Sequence, residues 1–265
     1  MDLAPRLNLT VTGVPEATPM VFVHGFGCGQ RMWRHVAPAF EQDHRVVLFD
    51  LPGSGDSDLT LYDPHRYSTL DAYGEDVVTL LRELDLSGVV LVGHSVSAMI
   101  GVLAANAAPE LVSSLVLVAP SARYLDDDGY VGGFSDRDID DLLALMSRNH
   151  LGWQDPLAGL VAGAAAPEVK QELEDSFCRT RPDIAAQFAD VTFRGDNRAD
   201  LADVRVPTLI LQSSDDAVAP PTAGEFIREH TAGSVLTVIE THGHCPHLSA
   251  PEQTIDAIRE FLAHS

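Results

Sequence analysis

Short apolar, β-branched runs recur along the chain, separated by longer stretches in which apolar residues return every three or four positions. The runs "MVFVHG" (20–25), "RVVLFD" (45–50), "GVVLVG" (88–93), "SLVLVAP" (114–120), "TLILQ" (208–212) and "VLTVIE" (235–240) are mostly apolar throughout, as strands covered on both faces must be. "RLNLTVTG" (6–13) alternates polar and apolar residues, which suits an edge strand with one wet face. Residues 30–41, 69–84, 96–107, 222–231 and 251–263 read as helices. In the second of these, Leu70, Tyr73, Val77, Leu80, Leu81 and Leu84 fall near helical spacing with a polar face opposite. Strands alternating with helices in this way predict an α/β fold, a parallel sheet joined by crossover helices.

Residues 121–195 break the rhythm. They contain no strand run, and 138–150, 167–178 and 182–193 each read as a short amphipathic helix, with Pro167 and Pro182 where helices begin. A helical insertion between two strands of a parallel sheet is expected over the C-terminal edge, where ligands bind. The expected division is a core of 1–120 and 196–265 and a lid of 121–195. Within the lid only an Ala/Gly-rich patch at 158–166 departs from ordinary composition.

Composition narrows the partners. With 39 Asp plus Glu against 17 Lys plus Arg, the formal charge is -22, which repels phosphate backbones and anionic lipid surfaces, so neither nucleic acid nor membrane is an expected partner. Lys170 is the single lysine and lies in a polar stretch, a poor setting for Schiff-base chemistry. Cys28, Cys178 and Cys245 form no C-x-x-C pair, which fits free thiols in a reducing compartment. The N-terminus lacks a basic segment followed by an apolar one, and no apolar stretch reaches the length of a membrane span; a cytoplasmic location is the expectation.

The chemistry centres on "LVGHSVSAMIG", a strand run that ends in Gly-His-Ser and then turns helical. A serine forced into a sharp strand-to-helix turn exposes its hydroxyl above the sheet, provided the residues two before and two after it are small. Gly93 and Ser97 meet that need, with Ser97 standing where the usual pattern has glycine. The competing role for Ser95 is a plain helix N-cap. A neutral hydroxyl needs a base and an orienting carboxylate. "SSDDAV" offers Asp215 and Asp216 after one strand, and "THGHCPH" offers His242, His244 and His247 after the last. Gly243 frees the backbone for a turn just before His244, whereas His247 already approaches the next helix, so His244 is the expected base. The Val96 N–H, next to the nucleophile, and the Phe26 N–H, in the glycine-rich "HGFGCG" loop, are the expected oxyanion donors. The same loop spells G-x-G-x-G but lacks the last glycine of a dinucleotide fingerprint, and H-x-H-C-x-x-H has no second ligand cluster in the sequence. No cofactor and no metal are therefore expected.

These segments, together with "HRVVLFDLPGSGDSD", "YSTLD", "GGF", "FCRTRPDIAAQFA" and "GHCPHLSAPE", resemble α/β-hydrolases of the RsbQ type, bacterial stress-signalling hydrolases related to the plant karrikin and strigolactone receptors. The resemblance runs from about Asn8 to Phe261 and includes the helical insertion. It implies an α/β-hydrolase fold whose pocket is roofed by four lid helices, with a triad of Ser95, Asp216 and His244; it selects Asp216, four residues before Pro220, over Asp215. It further implies a pocket walled by Phe26, Tyr124, Phe134, Trp153 and Phe193, with Leu157 as a further lining residue. The implied function is hydrolysis of a small apolar ester or lactone. The alternative is a ligand sensor that works with a regulatory phosphatase, for which the acidic lid residues Asp136, Asp138, Asp140 and Asp141 would offer a docking face.

Overall fold

The computed structural model describes residues 3–148, 152–163, 167–177 and 179–264. Residues 149 and 150 of one expected lid helix, Cys178 at the end of another, and 164–166 of the Ala/Gly patch lie outside that set. Seven strands form one sheet: β1 (Thr10–Gly13), β2 (Pro19–Val23), β3 (Arg45–Phe49), β4 (Val89–His94), β5 (Val112–Val118), β6 (Thr208–Asp215) and β7 (Val235–His242). Their order is β1-β3-β2-β4-β5-β6-β7, with only the β1–β3 pair antiparallel.

That order contains a reversal. From β2 the chain moves outward to β3 and then returns to lay β4 on the other side of β2. The crevice beyond the carboxyl ends of two such strands is where open α/β sheets bind ligands. The loops leaving β2 and β4 carry Phe26 and Ser95.

Strand alternation divides the core into two layers. Val21, Val23, Val47, Leu91, Leu115 and Ile210 pack on one face beneath helices α1 (Asp71–Glu83) and α2 (Val96–Ala107). Met20, Phe22, Val46, Val92, Val116 and Leu211 pack on the other, with Trp33, Phe40 and Ile258. Among the described residues four α-helices lie between β5 and β6: α3 (Asp136–Arg148), α4 (Gln154–Ala162), α5 (Pro167–Phe177) and α6 (Pro182–Arg194). Their apolar faces form a third cluster that includes Trp153, Leu157, Phe177 and Phe193. Helices α7 (Pro221–His230), α8 (Pro246–Ser249) and α9 (Pro251–His264) complete the chain.

Two expected elements change. The helix expected over 30–41 is instead two 3-10 turns, Gln30–Trp33 and Ala37–Phe40, because Pro38 can neither donate a helical bond nor share space with the preceding turn. The edge strand expected over 6–13 shortens to β1, since residues 4–6 form a 3-10 turn and Asn8 takes a left-handed φ of 48°.

Candidate active site

Ser95 makes the turn between β4, whose last two residues are Gly93 and His94, and α2. Ser95 has φ 57° and ψ −123°, a region that costs a side-chain-bearing residue roughly 1–3 kcal/mol and persists only when its surroundings enforce it. They do: a Cβ on Gly93 would stand 2.2 Å from the Ser97 carbonyl oxygen, so strand and helix approach as closely as a bare backbone allows. Ser97 fits in place of glycine because its hydroxyl donates to the His24 carbonyl. Ser95 occupies the N-cap position, yet its side chain makes no capping bond.

The Ser95 hydroxyl points elsewhere. Its Oγ lies 2.7 Å from His244 Nε2, and His244 Nδ1 lies 2.7 Å from Asp216 Oδ2. Asp216 Oδ1 accepts from the Val218 and Ala219 N–H groups at 2.8 and 3.0 Å. A carboxylate so engaged is acceptor-only, so Nδ1–H donates to it and Nε2 presents a lone pair to the serine. All three side chains are buried.

The rival residues are accounted for by register. Asp215 and His242 are cross-strand partners at the ends of β6 and β7, and their exposed side chains pair at 2.7 Å. One residue on, Asp216 leaves the strand, and Gly243, with φ 86°, turns the chain so that His244 faces inward. The backbone of His244 is anchored twice: its N–H donates to the Val161 carbonyl of α4 at 2.7 Å, and its own carbonyl accepts from His94 Nε2 at 2.8 Å. His247 is wholly buried against Trp33 and His94, with ring centroids 4.6 and 4.4 Å away. Sequence reading missed His94, whose place inside the Gly-His-Ser turn was the available signal.

The H-x-H-C-x-x-H run does not converge, since His242 and His244 are committed to separate aspartates. His94, Cys245 and His247 do bring one donor atom each within 4.8 Å of one another. His94 Nε2, however, is spent on the His244 carbonyl, and burial holds the Cys245 thiol well above its usual pKa, hence protonated. The Cys28 thiol is likewise pushed up to about 12 by burial, so neither cysteine rivals Ser95 as a nucleophile.

Above Ser95 and His244 lies a cavity of about 30 Å³ lined mainly by apolar side chains. Phe26, Tyr124, Leu157 and Phe193 line it, as do Phe177 and Leu173 of α5. Phe26 sits at the hub of an aromatic cluster, with the rings of Phe188, Phe193, Trp153 and Phe177 at 5.7 to 6.2 Å. Trp153 and Phe134 stand one layer back, stacked on Phe177 at 5.4 Å and edge-on to Phe193 at 5.9 Å. Gly27, φ 67°, admits the Phe177 ring, which a Cβ would strike at 2.5 Å. Val96 opens α2, so its N–H is among those a helix leaves without an internal acceptor. A larger cleft of about 720 Å³ lies between the Gln30–Trp33 turn and α5. Its walls mix charged side chains, among them Arg31, Arg34, Glu172 and Asp175, with apolar ones such as Met32 and Pro38 and include no histidine to serve as a base, so size alone does not mark the site.

A mostly parallel sheet with a serine elbow at its point of reversal, and an aspartate and a histidine following on later strands, defines an α/β hydrolase. The chain belongs to the Alpha/beta hydrolase family, whose sequence pattern matches residues 20–257. It is 39% identical over 259 residues to Karrikin insensitive 2 receptor CA of Petunia hybrida, covering 97% of this chain and 96% of that one. It is 38% identical over 247 residues to Strigolactone esterase RMS3 of Pisum sativum, covering 92% and 90%. A hydrolase from Oleispira antarctica superposes with a TM-score of 0.96 at 37% identity, covering 100% of this chain and 97% of the other. No helix among the described residues is long and apolar enough to cross a membrane.

Proposed function

We propose that the protein hydrolyses small, mostly apolar carboxylic esters or lactones by acyl transfer through Ser95. The observation that carries this reading is the unbroken chain Asp216–His244–Ser95, with 2.7 Å at both links, opening into an apolar cavity. His244 Nε2 takes the serine proton as Oγ attacks the carbonyl carbon, and Asp216 keeps the imidazole in the required tautomer. The Phe26 and Val96 N–H groups receive the oxyanion. The protonated His244 then gives its proton to the leaving alcohol, and a water activated by the same base releases the acid. The cavity of about 30 Å³ has room for little more than a water molecule, so an acyl group enters only as the aromatic roof moves. Ser95→Ala is expected to abolish hydrolysis of p-nitrophenyl acetate and labelling by a serine-directed fluorophosphonate while the melting temperature is kept. Retained turnover or labelling of another residue would refute the assignment.

The second reading is a sensor of the RsbQ type, in which slow processing of a ligand alters the lid and a regulatory phosphatase reads the change. It is favoured by the relative named as a receptor and by the His244-to-Val161 bond that joins the base to the lid. The exposed acidic residues Asp136, Asp138, Asp140 and Asp141 of α3 are the proposed docking face. Single-turnover kinetics separate the two: a long-lived adduct on Ser95 or His244 and recovery of a phosphatase with the liganded protein support the sensor, and fast multiple turnover with no phosphatase recovered counts against it.

A further inference from the structure

Ser95 Oγ has two hydrogen-bond neighbours. Besides His244 Nε2, the Tyr124 hydroxyl lies 3.1 Å away. The direction of this second bond follows from the first. Serine has one hydroxyl proton, and it is given to the Nε2 lone pair, so Oγ is the acceptor and Tyr124 the donor. Burial pushes the Tyr124 phenol well above its usual pKa, and the proton stays on it at neutral pH.

The donor is also fixed in place. The Tyr124 carbonyl accepts from the Phe134 N–H at 3.1 Å, and Gly132 presses so closely that a Cβ there would stand 2.5 Å from that carbonyl. The Tyr124 ring meets Phe193 edge-on at 5.3 Å. With backbone and ring held this way, only the O–H bond has to rotate for the donor to follow charge that develops beside it.

During attack, Oγ bonds to the acyl carbon, the carbonyl pair moves onto the oxyanion and the serine proton goes to His244. Oγ is then an ester-like oxygen and a weak acceptor. As the intermediate collapses, the bond to the leaving oxygen breaks and charge gathers on that atom, which shares the tetrahedral carbon with Oγ and lies within reach of the same hydroxyl. We propose that Tyr124 is a further catalytic residue, whose hydroxyl rests on Ser95 Oγ and turns to the departing oxygen as the acyl bond breaks. Tyr124 keeps its proton throughout, and His244 supplies the one that neutralises the alcohol. This proposal rests on the ester and lactone hydrolase reading above, and it gives the site a preference for leaving oxygens too basic to depart unaided.

The test compares wild type with Tyr124→Phe on acetate esters of p-nitrophenol, phenol, trifluoroethanol and ethanol. All form the same acetyl-enzyme, so kcat/KM reports acylation, and titration of Ser95 with a fluorophosphonate counts only folded sites. The expected loss is under ~3-fold for the p-nitrophenyl ester and grows to ~10–100-fold for the ethyl ester, the range for a hydrogen bond to a charged oxygen. A uniform loss across the series, or none, overturns the proposal. Should the Phe variant not fold, 3,5-difluorotyrosine at position 124 keeps the shape and lowers the phenol pKa. The ethyl-to-p-nitrophenyl rate ratio must then fall as pH rises through that pKa, and a flat ratio overturns the proposal. Wild type inactive on all four esters overturns the hydrolase reading itself.

Discussion

Replacing Asp216 by Asn changes one atom of the proposed triad, and the surrounding bonds dictate the result. The Val218 and Ala219 N–H groups, at 2.8 and 3.0 Å from Oδ1, need an acceptor, so the new amide must keep its oxygen there and turn its NH2 toward His244 Nδ1. Two donors cannot face each other, and the imidazole responds by moving its proton to Nε2. That nitrogen then donates and can no longer accept from Ser95, 2.7 Å away. The same tautomer error in a Ser-His-Asp protease lowers kcat about 10⁴-fold, or about 5.4 kcal/mol at 1.36 kcal/mol per tenfold. The expected outcome for Asp216→Asn is therefore a ~10⁴-fold fall in kcat for p-nitrophenyl acetate at pH 7.5, with little change in melting temperature. Asp215→Asn removes only the exposed pair with His242 and is expected to change the rate by less than about twofold. A loss below tenfold for Asp216→Asn, or equal effects of the two substitutions, would refute the reasoning.

Gly93→Ala drives a methyl to 2.2 Å from the Ser97 carbonyl oxygen; an overpacking cost of ~3 kcal/mol lowers the melting temperature by roughly 6–12 °C, and a fall under ~2 °C in a thermal melt contradicts the close-approach argument. Burial, with a smaller contribution from the neighbouring His244, holds His247 down at about 3, while the unfolded chain titrates it near 6.5. Between those values the unfolded state binds the extra proton, so stability is full above pH 6.5 and is lost as pH falls. His247→Leu is expected to flatten the urea-unfolding free energy between pH 5 and 6 by up to about 1.4 kcal/mol, and an unchanged slope shows that the group does not titrate differently on folding.

Much of the fold was legible because its strands are buried on both faces, where a near-continuous apolar run has few other readings. α2 was found at its full extent, Val96–Ala107, because Ser95 marks its start and small residues its body. The reading failed where one residue outweighed a pattern, as Pro38 does in 30–41 and Asn8 does before β1. α4 escaped the segment reading because "QDPLAGLVA" carries almost no polar face, and only the resemblance implied a fourth roof helix. At the site, chain order alone brought out a serine, an aspartate and a histidine. Choosing Asp216 from the residues themselves required the β6–β7 register, which pairs Asp215 with His242 and which sequence does not display. Phe177 and Phe188 read as ordinary stripes of amphipathic helices, since their shared contact with Phe26 depends on how α5 and α6 dock. The Tyr124 hydroxyl reaches Ser95 from a segment whose backbone packs tightly against Gly132, a closeness that no spacing announces.

The peptide nitrogen of residue 244 hangs from the last turn of α4. One peptide hydrogen bond thus ties the position of the imidazole to that of the roof above it.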